Sequence, residues 1–525
     1  MPLTRWTWTG LSNDKFTTAL TEFRPTDRET VREMMAGRYL LASKLVDTGG
    51  VSPFQVEIDH APWRHELQSF SWLRHFRDAR DEGERRFART LALDWIGRDG
   101  RFDRDTWAPA LCAQRVMNWL RHFGLLIEAA SPVQESLISK VLGTQIQSLK
   151  LRGPLAVGQV EALYAATALV GVALCDENEN KDVERRFRWL MRLLDQQIDA
   201  DGLHLSRSGQ VQLYLLVELV TIKQSLGRDH RDLANELGER LEIIHRALDA
   251  LTLGTGEPAF FNGTGQVPHD LLIAVQAQSS ARKRESGSVG GYGLLISGLS
   301  IVIADSGVVP PPDFADEAHA GALGFEFSHG SELVFGSCGP APAELPGSRP
   351  LFRQGIAHSA PTINAVSAAA IAESGVFAGR VRRRGAAPEF SVDAEEASIH
   401  LVTHGYESRF GVTLERRVTL LSEGKTLVGQ DRMARTGKAG MSGVCTVRFH
   451  LAPGAEIRRG RDEDILRVRL TNGAVWTFLW EGAEMREEES VRQSAYFGFH
   501  RIRQLVLEAP VSDGAEIAWI FTLEE

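Results

Sequence analysis

The chain holds four cysteines in 525 residues, Cys112, Cys175, Cys338 and Cys445, with no CxxC pair and no metal-ligand spacing among them. Neither a disulfide framework nor a zinc ribbon is suggested, and the four read as small buried apolar residues. No segment carries the roughly 18 uncharged apolar residues of a membrane-spanning helix. The start, MPLTRWTWTGLSNDKFT, lacks the apolar run of a secretory signal, so the expected location is the cytoplasm, off the membrane. Positive charge is also in deficit: 59 Lys and Arg stand against 68 Asp and Glu, a formal −9. That balance gives no global attraction to nucleic acid, and an anionic polymer needs a local basic cleft. No GxSxG elbow or HExxH pair occurs, and GSVGGYG is not followed by a phosphate-binding helix.

What is present is the composition of a globular chain, 43% hydrophobic and 24% charged, long enough for two or more domains. Its periodicity changes near residue 285. In KDVERRFRWLMRLLDQQIDADG the residues Val183, Phe187, Leu190, Leu194 and Ile198 share one helical face, and Asp201-Gly202 supplies a stop. Similar patterns predict helices over 30–46, 65–80, 85–97, 107–129, 133–149, 158–174, 210–226 and 230–252. Short loops between them favour successive antiparallel packing. Downstream the period becomes two. GALGFEFSHGSELVFGSCG alternates, turns at Gly330-Ser331 and returns, the mark of a hairpin, and ILRVRLTNGAVWTFLWEG repeats the device around Asn472-Gly473. Further strands are expected in TLVGQDRM, TVRFHLAPG, IRQLVLEAP and AEIAWIFTLEE. The predicted boundary lies in the glycine-rich, charged 281–293, giving a helical domain over 1–285 and an antiparallel β-sandwich over 286–525.

The order of FNGTGQVPHDLL, GYGLLISGLSIVIADSG, AHAGALGFEFSHG, RQGIAHSAPTINAVSAA, HGYESRFGVTLERR and RFHLAPG resembles the heparinase II/III-like family of polysaccharide lyases. The resemblance implies an incomplete (α/α) toroid followed by a β-sandwich, and β-elimination on an acidic, uronate-containing polysaccharide held between them. That reaction removes a weakly acidic proton beside the uronate carboxylate. It therefore needs a group that neutralises the carboxylate, a base, and a proton donor to the leaving oxygen. On this basis His319, His358, Tyr406, Tyr292 and His204 are the catalytic candidates, and Arg207, Asn262, Arg353 and His404 the substrate-binding ones. His204 and Arg207 are expected to face the toroid's mouth, and Asn262-Gly263 to turn outward over the anchors Phe260 and Phe261. Asn118, on a helix, reads as a packing residue that bonds a neighbouring loop.

Three positions depart from the family pattern. Gly321 stands where an Asp is expected, Tyr214 is offset from the family's proton-transfer tyrosine, and the segment around Gln159 lacks an Asn-His pair. These departures leave a second reading open: a catalytically altered glycan-binding or scaffold protein of the same fold. A third, hydrolysis by Asp313, Asp316 or Glu317, competes with a plain solvated acidic loop. No cofactor is expected, and zinc finds no ligand spacing.

Overall fold

In a computed structural model the described residues are 16–156, 160–227, 229–280, 283–437, 440–460, 465–494 and 498–524. Gln159 lies outside them. The chain divides into two compact units that do not follow chain order. One comprises Met1–Ile198, Leu213–Ile243 and Asp270–Ser280, the other Asp199–Gln212, Ile244–His269 and Ala281–Glu525.

The first unit is helical. Its longer helices include Glu82–Asp99, Pro109–Arg121, Pro132–Arg152, Val160–Cys175, Val183–Gln197 and Leu213 onward in Gly209–Leu226. The expected face of Val183–Gln197 is the buried one, Val183, Phe187, Leu190 and Leu194, continued by Ile198. Helix starts follow local chemistry: Ser131 forms a capping box with Gln134 ahead of Pro132–Arg152. Phe70, fully buried, stacks or edges onto Trp72, Trp95 and Trp119 at 5.1–5.6 Å between centroids. Asn118 packs as expected, donating to the Ser69 carbonyl at 2.8 Å. The helix expected over 30–46 is corrected. It ends at Met35, and Arg38–Leu41 pairs with Lys44–Asp47 as a hairpin through Ala42 and Ser43 at φ 46° and 62°. Gly37, at φ 84°, breaks the helix before the apolar repeat runs out.

The second unit carries two large antiparallel sheets. One runs in the order Glu389–Asp393, Ser398–Thr403, Val412–Leu421, Thr426–Arg435, Glu516–Leu523, Val475–Glu481, Leu466–Arg469, Glu456–Arg459. The other runs Glu484–Gln493, Phe499–Pro510, Val444–Leu451, Glu332–Gly336, Phe325–His329, Ser300–Asp305, Tyr292–Ser297, Gly287–Val289, with Thr362–Ile363 added against Val444–Leu451. Both expected hairpins form, Phe325–His329 with Glu332–Gly336 and Leu466–Arg469 with Val475–Glu481. The core between the sheets is aromatic: Phe325 stacks on Trp519 at 5.5 Å, and Phe449 meets Phe335, Trp519 and Phe521 at 4.9–5.4 Å. Each such buried ring contributes about 1.5–3 kcal/mol. Gly429 is required here, since a Cβ would lie 1.9 Å from the Trp519 ring. All four cysteines are buried and free. Among the described residues, no helix is long and apolar enough to cross a membrane.

Candidate functional site

Seven segments of the second unit converge on one buried polar network. The strand Ser300–Asp305 ends on a carboxylate, and Asp305 Oδ1 accepts from Arg207 Nη2 at 2.9 Å. The same guanidinium donates through Nε to Gly290 O at 2.8 Å and through Nη1 to Val308 O, and lies 4.1 Å over the Tyr292 ring. Tyr292 Oη donates to the carbonyl of Arg207 at 2.7 Å and accepts from Asn262 Nδ2. Asn262 Oδ1 accepts from the amide of His319 at 2.9 Å, and His319 Nε2 accepts from the amide of Gly263 at 3.1 Å. The His319 ring stands 4.9 Å from that of His358, whose Nδ1 bonds Ser337 Oγ at 2.9 Å. Phe261 stacks against Tyr292 and His358. Arg207, Asn262 and Leu323 hold φ of 57°, 48° and 65°, so the converging loops carry backbone strain of the kind that clusters at functional sites.

Burial decides the protonation of this network. His319 is held well below the usual imidazole range by burial, then by His358 and Arg353. Burial alone lowers His358 to about 4, and it raises the Tyr292 phenol above its ordinary range. Among the described residues His319 Nδ1 and His358 Nε2, both buried, have no hydrogen-bond partner. Both rings are neutral at physiological pH.

The remaining candidates fall elsewhere or in other roles. His204 and Arg207 do not belong to the helical unit; both are buried in the unit that holds the sheets, His204 against Ser206 Oγ and the Phe314 ring. Burial lowers His204 to about 4. Asn262 does not turn outward; it is 2% exposed, while its anchors Phe260 and Phe261 are buried as expected. Arg353 is not presented to a ligand: Nε, Nη1 and Nη2 donate to the carbonyls of Ala318, Gly379 and Ala315, clamping the loop ahead of His319. Tyr406 lies apart from the histidine pair, its hydroxyl bonding the carbonyls of Pro361 and Val366 and its acidity suppressed by burial. His404 sits between Glu407 and Glu389 at 2.7 and 3.2 Å, and its hydrogen bond to Glu407 raises its pKa. The acidic loop is tied to arginines: Glu317 pairs with Arg349, Asp316 with Arg380.

Sequence reasoning missed Asp305, Ser337, the Gly263 amide and Arg416. Only Asp305 had a signal, a lone carboxylate ending an apolar strand in GLSIVIAD. Arg416 is fully buried, forks onto Asp431 at 2.6 and 2.9 Å, and donates to the carbonyls of Leu323 and Ser359. A zinc ion fits this set poorly. His319 Nε2 is occupied by an amide, Gly321 offers no ligand, and among the described residues no group of three His, Cys, Asp or Glu is placed to hold a metal. Gly321 is there for space: a Cβ would meet His358 Cδ2 at 2.8 Å.

Comparison with known proteins agrees with this architecture. Residues 280–520 match the family model Heparinase II/III-like, C-terminal. The chain is 26% identical over 538 residues to FtsZ-localized protein C of Caulobacter vibrioides, covering 96% of this chain and 90% of that protein. Among solved structures, heparinase III matches at a TM-score of 0.72 and 12% identity, covering 99% of this chain and 88% of that one. A heparan sulfate lyase HepC mutant from Pedobacter heparinus matches at 0.61 and 14%, covering 100% and 88%. The chain thus has the heparinase III fold, an (α/α) toroid with a β-sandwich, and its residues 280–520 belong to the heparinase II/III-like family.

Proposed function

We propose that this chain uses the heparinase-type fold as a scaffold or recognition protein that localises with FtsZ, with the lyase chemistry altered. One observation carries the reading: every side chain expected to meet a uronate carboxylate is already engaged inside the protein. Arg207 is spent on Asp305 and two carbonyls, Arg353 on three carbonyls, Asn262 on Tyr292 and His319, and His404 on two glutamates. Without a neutralised carboxylate, the proton to be removed stays far too weakly acidic for a base near neutrality. The FtsZ assignment is supported by the name of the Caulobacter relative, which aligns over nearly the whole chain.

The test has two arms. A fluorescent fusion expressed at native level is expected to follow labelled FtsZ, and a diffuse signal removes that assignment. Purified protein incubated with heparan, hyaluronan, alginate and glucuronan is expected to release no ultraviolet-absorbing unsaturated ends, while calorimetry on the same panel reports any glycan binding.

A second reading, β-elimination on a uronate polysaccharide, is favoured by the two neutral imidazoles with unpartnered ring nitrogens. Unsaturated ends that disappear in His358→Ala would establish it and overturn the first.

A further inference from the structure

His204, His319, His358 and His450 are buried and held neutral, whereas His404, in the same unit, is placed to carry charge. Its Nδ1 lies 2.7 Å from Glu407 Oε1 and its Nε2 3.2 Å from Glu389 Oε1. An ionised carboxylate only accepts, so both ring nitrogens must donate, which requires the imidazolium. A neutral ring turns a lone pair toward one of the two carboxylates. The hydrogen bond to Glu407 accordingly raises the pKa of His404 and outweighs burial, and the bond to Glu389 adds to it. Charged groups on the neighbouring elements are engaged elsewhere: Glu415 with His400, Arg409 over the Phe410 ring at 5.4 Å, and Arg384 acting on Tyr406.

The two carboxylates belong to parts of the sheet that are held very differently. Glu407 opens the short helix Glu407–Phe410, in a turn fixed on both sides. The Tyr406 hydroxyl bonds the carbonyls of Pro361 and Val366, and Gly405 is pressed so closely on Ala368 that a Cβ would lie 2.0 Å from its carbonyl oxygen. Glu389 opens the strand Glu389–Asp393, at the margin of the eight-stranded sheet, where the ladder runs to Ser398–Thr403 alone. That strand is five residues long, with Glu389, Ser391 and Asp393 exposed and Phe390 and Val392 half-buried. Its far end is closed by a turn in which Asp393 Oδ1 accepts from the amides of Glu395 and Glu396. At its leading end, among the described residues, the Glu389 side chain has His404 as its one side-chain partner. We infer that His404 is a pH-sensitive latch: protonated, it ties the margin strand to the fixed turn, and on losing a proton it releases the Glu389 end and uncovers the backbone edge of Ser398–Thr403. A group whose folded pKa is raised contributes fully below its unfolded value, near 6.5, and loses that contribution as pH rises through the folded pKa. The latch therefore opens on alkalinisation, opposite in sign to the buried histidines, which weaken the fold on acidification. The inference needs neither the FtsZ assignment nor any lyase chemistry.

Hydrogen exchange of the full chain, read by mass spectrometry over residues 386–403 and corrected for the intrinsic rate at each pH, tests the latch. Protection of the margin strands is expected to be about threefold to tenfold lower at pH 8.5 than at pH 6, the range that two exposed ion pairs supply. Protection of Val412–Leu421, an interior strand of the same sheet, is expected not to fall. His404→Gln, which keeps a donor and carries no charge, is expected to leave the margin at its low protection at both pH values. Nitrogen-15 spectra of the unaltered chain are expected to show the His404 ring more than half protonated at pH 6.5. Equal margin protection at the two pH values, a fall shared by Val412–Leu421, a pH dependence that persists in His404→Gln, or a ring less than half protonated at pH 6.5 each overturns the inference.

Discussion

The amide of Gly263 donates to Nε2 of His319 at 3.1 Å. A ring nitrogen that accepts cannot carry the proton, so neutral His319 holds its hydrogen on Nδ1, the buried nitrogen without a partner. His319 is therefore a donor at its free nitrogen, with its lone pair already in use. Nitrogen-15 spectra of the histidines are expected to show the Nδ1-H tautomer for His319 from pH 8 down to pH 6. An Nε2-H tautomer there would return His319 to the role of base.

Stability is expected to fall as the solution is acidified below about pH 6.5. Burial lowers His204 and His358 to about 4 and His450 to about 3, whereas the unfolded imidazole titrates near 6.5. Below that value the unfolded chain binds protons that the folded chain does not. Each histidine's contribution is fully present above pH 6.5 and shrinks as pH falls toward its folded pKa, by about 2 kcal/mol at pH 5. Denaturant melts at pH 7 and pH 5 measure the loss. His204→Asn removes one titrating ring and is expected to reduce the difference by about that amount; an identical difference would mean that His204 is not held neutral.

The hairpin at 325–336 was legible because alternation over a fixed turn is local information, and Phe325 and Phe327 point to the core as their spacing requires. The 30–46 segment was not, because its apolar repeat continues past Met35 while Gly37, Ala42 and Ser43 reverse the chain. At the site, His319 and His358 were reached through family resemblance, and the structure does bring them together. Their surroundings were opaque for a physical reason. Asp305 meets Arg207 across 98 residues, and Arg353 looks like a ligand-binding cation until the three carbonyls around it are known.

Gly321→Ala is expected to destabilise the protein by about 1–3 kcal/mol, because the added Cβ would lie 2.8 Å from His358 Cδ2 and 3.0 Å from Cγ. The ring cannot yield freely, being pinned through Nδ1 to Ser337 and stacked on Phe261. Gly321→Asp, which supplies the family's acidic residue, is expected to cost more and to confer no zinc binding, read by metal analysis after dialysis against zinc. Stoichiometric zinc in that variant would show that the glycine alone excludes the ion.

Arg416 reaches from the strand Val412–Leu421 to the carbonyls of Leu323 and Ser359, which follow His319 and His358 by four residues and one. Its ion pair with Asp431 and its grip on the two loops are separable. Arg416→Met leaves Asp431 buried with Trp519 Nε1 as a remaining donor, and is expected to cost about 3–5 kcal/mol in denaturant melts. Arg416→Met combined with Asp431→Leu removes the stranded charge and is expected to recover most of that stability. Neither variant restores donors to the Leu323 and Ser359 carbonyls, so the His358 ring resonances should stay displaced even in the stable double variant. Recovery of the wild-type His358 signals alongside stability would show that the two loops hold the imidazole pair without Arg416.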